Sequence, residues 1–226
     1  MDSIENKRIE LEEMASFFDK RVDTYDEHMK NEVDGSDQYY IETAKYIPHC
    51  SNLKLLDLGC GTGLELKEIF KINPTVNVTG IDLSKKMLAK LKEKYEEKQE
   101  QISLINESYV DIEYGKEAYG AVVSVETLHH FAHQEKLKIY KKIYDSLIDG
   151  GVYVETDYVA KDQEYEDYFF NELKRIKEEN KITEGFYHYD TPCTVENIII
   201  LMEKAGFKEA ELKWREEGTA IIVAKK

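Results

Sequence analysis

The sequence predicts an α/β fold built on a doubly wound, mostly parallel sheet of seven strands, with one antiparallel strand in a C-terminal hairpin. Two observations predict it. Short apolar runs alternate with amphipathic stretches along most of the chain, and only a polar turn at 215–218 separates the last two runs. Strands that alternate with helices form right-handed crossovers, which make the strands parallel and place helices on both faces of the sheet.

The predicted strands are short and mostly apolar, as strands buried on both faces are. They cover 53–58, 76–82, 102–106, 119–125, 151–157, 207–214 and 219–224. The intervening stretches carry apolar residues at steps of three and four, which is typical of amphipathic helices. Helices are predicted at 62–72, 84–99, 134–147, 163–180 and 194–205, and two more before residue 50.

The composition restricts the class of protein and of partner. Hydrophobic residues make up 42% of the 226 residues and charged residues 34%, which is a soluble globular composition. The polar N-terminus and three scattered cysteines predict a cytoplasmic protein with free thiols and no metal site. A net charge of −15 disfavours binding to the phosphate backbone of a nucleic acid. A small-molecule partner is therefore expected, nucleic acid and membrane are not, and a homodimer is left open.

Three glycines stand between the first predicted strand and the helix that follows it. Gly59, Gly61 and Gly63 occupy alternate positions, where glycine permits a tight turn and a close approach of a ligand to the backbone. A dinucleotide-binding loop requires the third glycine one position later, where this sequence has Leu64. Asp82 ends the second predicted strand, where a carboxylate can accept both hydroxyls of a ribose. The pattern predicts a nucleoside cofactor without a pyrophosphate.

These motifs resemble those of the class I S-adenosylmethionine-dependent methyltransferases. The resemblance extends from about Phe17 to the C-terminus, and it is carried by the stretches 55–63, 78–88 and 107–131. It implies a Rossmann-like methyltransferase that uses S-adenosylmethionine, releases S-adenosylhomocysteine and transfers the methyl group to an oxygen or nitrogen of a small molecule. It also implies a helical lid at 1–50, a methyltransferase domain at 51–226 and a helical insertion on the acceptor side at about 158–192.

The resemblance assigns a role to each motif residue. The three glycines would pass under the methionine half of the cofactor, Asp57 would hold its amino group, and Asp82 would bind the ribose. Ser108 and Tyr109 stand where the family has an acid and a small residue at the adenine edge, and Gly120 replaces another usual acid. The predicted cofactor-binding residues are Tyr25, Asp57, Gly59, Cys60, Gly61, Gly63, Asp82, Leu83, Met87, Ser108, Tyr109 and Val125.

The candidate catalytic residues follow the fourth and fifth predicted strands. His129 and His130 come shortly after the fourth, and Asp157 ends the fifth. Histidine can act as a base near neutral pH, and the resemblance includes methyltransferases in which a histidine and a carboxylate work together. The alternatives are a packing role for the histidines and a capping or solvent-facing role for Asp157.

The segment after the fifth strand is rich in aromatic residues. One hypothesis is an aromatic pocket for a planar or cationic acceptor, and the alternative is that these rings belong to the core. The members are Tyr158, Tyr165, Tyr168, Phe169, Phe170, Phe186, Tyr187 and Tyr189. Two rival functions remain open at this point: methylation of RNA, for example at a wobble uridine, and binding of the cofactor without catalysis.

Overall fold

The computed structural model describes residues 10–32 and 36–226, and it contains a seven-stranded sheet. The strands are β1 (Lys54–Leu58), β2 (Asn77–Ile81), β3 (Ile102–Ile105), β4 (Tyr119–Val125), β5 (Leu147–Tyr158), β6 (Glu209–Glu216) and β7 (Thr219–Lys225). Their order in the sheet is β3-β2-β1-β4-β5-β7-β6. The first five are parallel, and β7 is antiparallel to both β5 and β6. The predicted doubly wound topology with its antiparallel hairpin strand is confirmed.

Helices cover both faces of this sheet. They are α1 (Met14–Asn31), α2 (Ser36–Lys45), α3 (Leu66–Ile72), α4 (Lys85–Lys94), α5 (His133–Ser146), α6 (Gln163–Asn180) and α7 (Val195–Ala205). Alternate strand residues face opposite layers: Leu56 and Val122 pack into one hydrophobic cluster, whereas Leu55 and Val123 pack into the other. Within the described residues, no helix has both the length and the apolar character that crossing a membrane requires.

Side-chain caps fix where several helices begin. Ser84 accepts a hydrogen bond from the backbone N–H of Met87 at the start of α4, and Thr194 caps α7 through Asn197. Gly206 ends α7 with a φ of 119°, in the left-handed region that favours glycine. Local sequence signals therefore set the boundaries of these two helices.

The structure differs from the predicted elements at several ends. Helix α4 ends at Lys94 rather than at 99, and a 3₁₀ turn at Glu96–Lys98 follows it. Helix α3 begins at Leu66 rather than at 62, because residues 62–65 still form turns after the glycine loop. Strand β5 begins at Leu147 rather than at 151, directly after α5 ends at Ser146, and Gly150 lies within this strand with a φ of 75°. On α5, Lys136 and Ile143 are buried, whereas Leu137 is only partly buried.

The sheet topology places the ends of four strands next to the glycine loop. Strand β1 lies between β2 and β4, so the chain order reverses direction across the sheet at β1. In open α/β sheets, ligands bind beyond the carboxyl ends of the strands at such a reversal. The residues after β1, β2, β4 and β5 therefore form the expected site.

Candidate active site

The glycine loop turns directly out of β1 and is held by the neighbouring strand. Gly59, Gly61 and Gly63 have φ values of 68°, 47° and 71°. The N–H groups of Gly59 and Cys60 both donate to the carbonyl of Ile81, at 2.8 and 3.2 Å. A Cβ on Gly59 would lie 2.3 Å from Thr127 Oγ1, so glycine is required there, whereas the space beside Gly61 is open apart from the backbone oxygen of Gly59. The loop thus presents bare backbone to the cleft above it.

Asp82 ties this loop to the start of α4. Its carboxylate accepts hydrogen bonds from the N–H of Gly61 at 2.9 Å and from the N–H of Ser84 at 2.7 Å. Burial raises the pKa of Asp82 to about 6, and this effect outweighs that of the two backbone hydrogen bonds, which lower the pKa. The predicted acid therefore lies beside the glycine loop, with each oxygen keeping a lone pair for a further donor.

Two buried acids lie under the same loop. Asp57 is 1% exposed and Glu65 is 6% exposed, and burial raises the pKa of both. Asp57 Oδ2 and Glu65 Oε1 receive no hydrogen bond from any other described group, and the two carboxyl groups can hydrogen-bond to each other only when one of them is protonated. Buried carboxylate oxygens without donors are costly, and an ammonium group in the cleft would satisfy them. This observation fits the amino group of the expected cofactor. Glu65 was missed from sequence, although an acid directly after a glycine loop is a usable signal.

Helix α1 covers the glycine loop. Asp19 accepts a hydrogen bond from Ser84 Oγ at 2.5 Å, and Asp26 accepts one from Thr62 Oγ1 at 2.5 Å while pairing with Lys94 at 2.6 Å. With Tyr25 over the loop, the cleft there holds only about 10 Å³. Helix α1 therefore lies over the space expected for the cofactor.

A larger cavity of about 740 Å³ adjoins this cleft. Tyr25 and Glu126 line both spaces. The other walls of the larger cavity come from α1, from His129 and His130, and from the segment before α7, which contributes His188 and Asp190. This cavity is the acceptor-sized space next to the expected cofactor.

His129 and Asp157 form a buried pair at the cavity wall. His129 Nδ1 lies 2.6 Å from Asp157 Oδ1, and the two side chains are 9% and 2% exposed. Burial alone would lower the pKa of His129, but the Asp157 carboxylate, with Asp190 and Glu126 nearby, raises it to about 9. Nε2 makes no hydrogen bond to any described residue, and its distance to Asp190 Oδ1 is 3.6 Å. The pair therefore presents Nε2 to the cavity, with Asp190 at ion-pair distance from it.

Three polar residues of this wall were not predicted. Glu126 directly follows β4, has a φ of 49° and lies with its Oε2 3.8 Å from His129 Nδ1; burial raises its pKa to about 7. Asp190 Oδ1 lies 3.3 Å from His130 Nδ1, and His188 stacks on Phe17 with ring centroids 3.5 Å apart. Asp190 and His188 are about sixty residues from the histidine pair in sequence, and only the fold brings them together.

The predicted residues are not all at the cleft. Met87 is buried, and so is Cys60, although Cys60 contributes to the lining of the loop cleft and a Cβ on Gly80 would lie 2.8 Å from its Sγ. Tyr109 is buried with its ring beside Phe131 and its hydroxyl 2.9 Å from Thr127 Oγ1. Val125 lines the loop cleft, and Leu83 and Ser108 are half-buried after β2 and β3. The cofactor roles of all twelve predicted residues, and the catalytic roles of His129, His130 and Asp157, stay predictions.

The predicted aromatic segment contributes little to the cavity. Tyr168 is 59% exposed, and Phe186 stacks on Phe131. The aromatic wall is formed instead by Phe17, Phe18 and Tyr25 of α1. This segment contributes His188 and Asp190 to the cavity, because the chain between α6 and α7 bends back over the end of β5.

Clusters of possible metal ligands also occur among the described residues. One is His129, His130 and Asp190, a second is His133, Glu166 and Cys193, and a third joins Glu126 to the buried pair. The sequence offered no ligand motif for them because the members are far apart along the chain. The prediction of no metal site stays a prediction.

The raised pKa of His129 makes stability depend on pH. An imidazole with an ordinary pKa near 6.5 when unfolded and about 9 when folded stabilises the folded chain fully below pH 6.5. This contribution, on the order of 3 kcal/mol, is lost as the pH rises from 6.5 to 9. Urea denaturation at half-unit pH steps should show the decline. A His129→Gln variant that declines equally over this window would contradict the assignment.

Comparisons with known proteins agree with this geometry. Residues 55–151 match a family model described as a methyltransferase domain. The chain is 26% identical to the carboxy-S-adenosyl-L-methionine synthase of Nautilia profundicola, over 99% of this chain and 98% of that protein.

Two solved structures share the fold. The phosphoethanolamine N-methyltransferase 2 of Haemonchus contortus, in complex with S-adenosyl-L-methionine, superposes with a TM-score of 0.66 at 20% identity, over 86% of this chain and 43% of that one. Human N-acetylserotonin methyltransferase, also in complex with its cofactor, gives a TM-score of 0.64 at 16% identity, over 94% and 56%. The chain thus spans about half the length of these two proteins. With a methyltransferase match over residues 55–151 and with this sheet, the chain contains a methyltransferase domain of the class I fold, whose cofactor is S-adenosylmethionine.

Proposed function

We propose that the enzyme transfers the methyl group to an oxygen or nitrogen atom of a small molecule bound in the 740 Å³ cavity. The observation that carries the proposal is the buried His129–Asp157 pair, in which His129 lines this cavity and its Nε2 lies 3.6 Å from Asp190 Oδ1. The bound cofactor supplies an electrophilic methyl group. Methyl transfer is an in-line displacement, so the main task of the protein is to align the acceptor.

His129 and Asp157 would manage the proton of the acceptor. With Nδ1–H directed at Asp157, Nε2 can take a proton from a hydroxyl or amine within reach. The raised pKa means that His129 is protonated at neutral pH in the ligand-free chain. A sulfonium cation nearby would lower that pKa, because like charges disfavour the protonated form. In this proposal His129 becomes a base when both ligands are present, and His130 orients the loop through the carbonyl of Tyr189, at 3.3 Å.

The same proposal assigns the segments around the domain. The predicted lid at 1–50 falls partly outside the described residues, and its described part, 10–32 and 36–50, acts as a helical lid in which α1 covers the loop cleft. Residues 158–192 act as the acceptor-side insertion within the domain 51–226. The cavity is lined by Glu27, Glu32, Glu126 and Asp190, and the chain carries a net charge of −15, which supports a small acceptor in the cytoplasm over RNA. Full-length similarity to a carboxy-S-adenosyl-L-methionine synthase makes a carboxylated cofactor the second candidate product.

One experiment separates these functions. The protein is incubated with methyl-labelled S-adenosylmethionine and fractions of a cell metabolite extract, with tRNA in a parallel reaction, and the products are identified by mass spectrometry. A labelled small molecule is the expected result, and it should disappear in a His129→Asn variant. A cofactor heavier by one CO2, labelled tRNA, or tight cofactor binding without any product would each overturn the proposal.

Replacing Asp82 by alanine should weaken cofactor binding about 10- to 100-fold, because hydrogen bonds to a charged group contribute about 1.5–3 kcal/mol. Isothermal titration with S-adenosylhomocysteine measures the change. Asp82→Asn, which keeps one oxygen acceptor, should lose less, and Glu113→Ala removes the same charge from an exposed position as the control. Equal affinity in Asp82→Ala and Glu113→Ala would remove Asp82 from the cofactor site.

A further inference from the structure

We propose that His133, Glu166 and Cys193 bind a zinc ion where the first turns of α5 and α6 meet the chain that leads into α7. One ligand atom of each residue lies within 4.8 Å of the ligand atoms of the other two. None of the three residues lines the cavity of 740 Å³. Zinc binding at this place therefore does not depend on the proposed methyl transfer.

The three residue types are those that zinc prefers. Zn²⁺ is bound in proteins by thiolate sulfur, imidazole nitrogen and carboxylate oxygen, almost always in tetrahedral geometry when the site is structural. A thiolate among the ligands favours zinc over magnesium and calcium, which take oxygen ligands. The thiolate of Cys193 and the carboxylate of Glu166 together carry two negative charges, which match the charge of the ion.

A lysine lies one turn further along α5, but its charge is compensated by other acids. Lys136 Nζ lies 3.8 Å from Glu155 Oε1 and 3.9 Å from Asp157 Oδ2. Both of these acids belong to β5 and neither is a ligand of the proposed site. The two anionic ligands of the site therefore remain to balance the zinc ion.

The contact between His133 and Glu166 is close without being a hydrogen bond. His133 Nε2 lies 2.7 Å from Glu166 Oε1. Nε2 is nevertheless buried without a hydrogen-bond partner among the described residues, so the oxygen lies away from the direction in which this nitrogen can donate or accept. Two ligands of one ion have this relation, because each lone pair points at the ion and not at the other ligand.

Small movements bring the ligand atoms to the spacing that zinc requires. With Zn–N and Zn–O distances of about 2.0 Å and a Zn–S distance of about 2.3 Å, tetrahedral ligand atoms are about 3.3–3.5 Å apart. The three atoms of this site lie between 2.7 and 4.8 Å from one another. Side-chain shifts of about 1 Å therefore complete the geometry.

Hydrogen bonds fix the orientation of the Glu166 carboxylate. The residue is 1% exposed. Its Oε2 accepts a hydrogen bond from the N–H of Thr194 at 2.5 Å, and Asn197 Nδ2 donates to Oε1 and Oε2 at 2.8 and 3.0 Å. Partners of this kind orient metal ligands from outside the coordination shell. The carboxylate is thus held before the ion binds.

Backbone contacts hold Cys193 beside the end of β5. Cys193 pairs with Val159 in a parallel bridge, and its carbonyl accepts a hydrogen bond from the N–H of Ala160 at 2.9 Å. Cys193 is fully buried, whereas the side chain of His133 is 41% exposed. Water therefore reaches the site from the histidine side and supplies the fourth ligand.

Zinc at this site connects the segment before α7 to the loop of the candidate catalytic histidines. Thr191, two residues before Cys193, donates to the carbonyl of His129 through its N–H at 2.7 Å and its hydroxyl at 2.9 Å. His133 follows His129 by four residues, so the ion holds the chain on both sides of this contact. The sequence predicts no metal site because the three ligands are far apart along the chain.

Cobalt and zinc titrations of the untagged full-length protein test the proposal. After metal has been removed by dialysis against a chelator under reducing conditions, we expect one Co²⁺ per chain to bind with the near-ultraviolet absorption of a cobalt–thiolate bond, and Zn²⁺ to displace it. Cys193→Ser should abolish this absorption, and His133→Gln should weaken zinc binding about tenfold or more. The matched controls, Cys50→Ser and His49→Gln, change exposed positions and should leave both measurements unaltered.

Several results would overturn the zinc assignment. One is a parent chain without the cobalt–thiolate absorption, and another is equal zinc affinity in Cys193→Ser and Cys50→Ser. Zinc binding that disappears in Asp190→Asn but persists in Cys193→Ser would place the ion at His129 and His130 instead. Circular dichroism shows whether each variant is folded. If Cys193→Ser unfolds, an unchanged zinc affinity in folded His133→Gln overturns the assignment by itself.

Discussion

Replacing Lys136 by methionine is expected to lower the free energy of unfolding by about 3–5 kcal/mol, the usual cost of leaving a buried charge uncompensated. Lys136 is fully buried, and its Nζ lies 3.8 Å from Glu155 Oε1 and 3.9 Å from Asp157 Oδ2. Burial alone would lower the pKa of this lysine, but Cys193 and the two carboxylates raise it. Without the ammonium group, both acids of β5 lose the cation that stabilises their charged forms.

Urea denaturation measures this change, with Lys138→Met, at an exposed position of the same helix, as the matched control. Adding Glu155→Gln to Lys136→Met should restore part of the loss, because it removes one of the uncompensated charges and couples to the first change. If Lys136→Met and Lys138→Met unfold at the same urea concentration, the lysine does not compensate these acids.

Replacing Asp157 by asparagine should reduce the rate of methyl transfer about 10²- to 10⁴-fold, the range over which positioned proton-transfer groups contribute. The amide keeps the shape of the side chain but removes the charge that raises the pKa of His129, and it can hold the ring in the wrong tautomer. The formation of S-adenosylhomocysteine with the acceptor gives the rate. The pKa of His129, followed by NMR, should fall in the same variant below its value of about 9 in the parent chain.

Cofactor affinity distinguishes a catalytic effect from a general one. It should stay unchanged in Asp157→Asn, because this residue lies at the acceptor cavity and not at the glycine loop. Asp149→Asn, an exposed acid in the same strand, serves as the control. A full rate with a lowered His129 pKa would show that the pair has a structural role only.

Local signals explain why the fold could be predicted. The apolar run of β4 has no polar alternation, so it had to be a strand buried on both faces, and its predicted bounds of 119–125 match the structure. The glycine loop was predictable for the same reason: its three glycines all have positive φ values, which other residues adopt at a cost. Asp82 follows β2 by one residue, so strand order alone placed it beside the loop.

Long-range pairing explains what could not be predicted. Lys136 belongs to an amphipathic helix in which a lysine is normally read as exposed, and only the packing of α5 against β5 gives it Glu155 and Asp157. Asp190 follows the α6 insertion, and nothing in its local sequence indicates a contact with His130 at 3.3 Å. The positions of Lys136 and Asp190 thus depend on charge pairing between distant parts of the chain, which hydrophobic periodicity does not reveal.

The position of α1 has a consequence for the order of events in a catalytic cycle. The same helix covers the glycine loop, lines the acceptor cavity with Phe17 and Phe18, and is joined to residue 187 by a bridge at Glu13. If α1 is the lid proposed above, neither product leaves while it stays in place, and both departures depend on one opening rate. We expect turnover to slow with solvent viscosity and hydrogen exchange in α1 to report that rate, because lid opening often limits such enzymes.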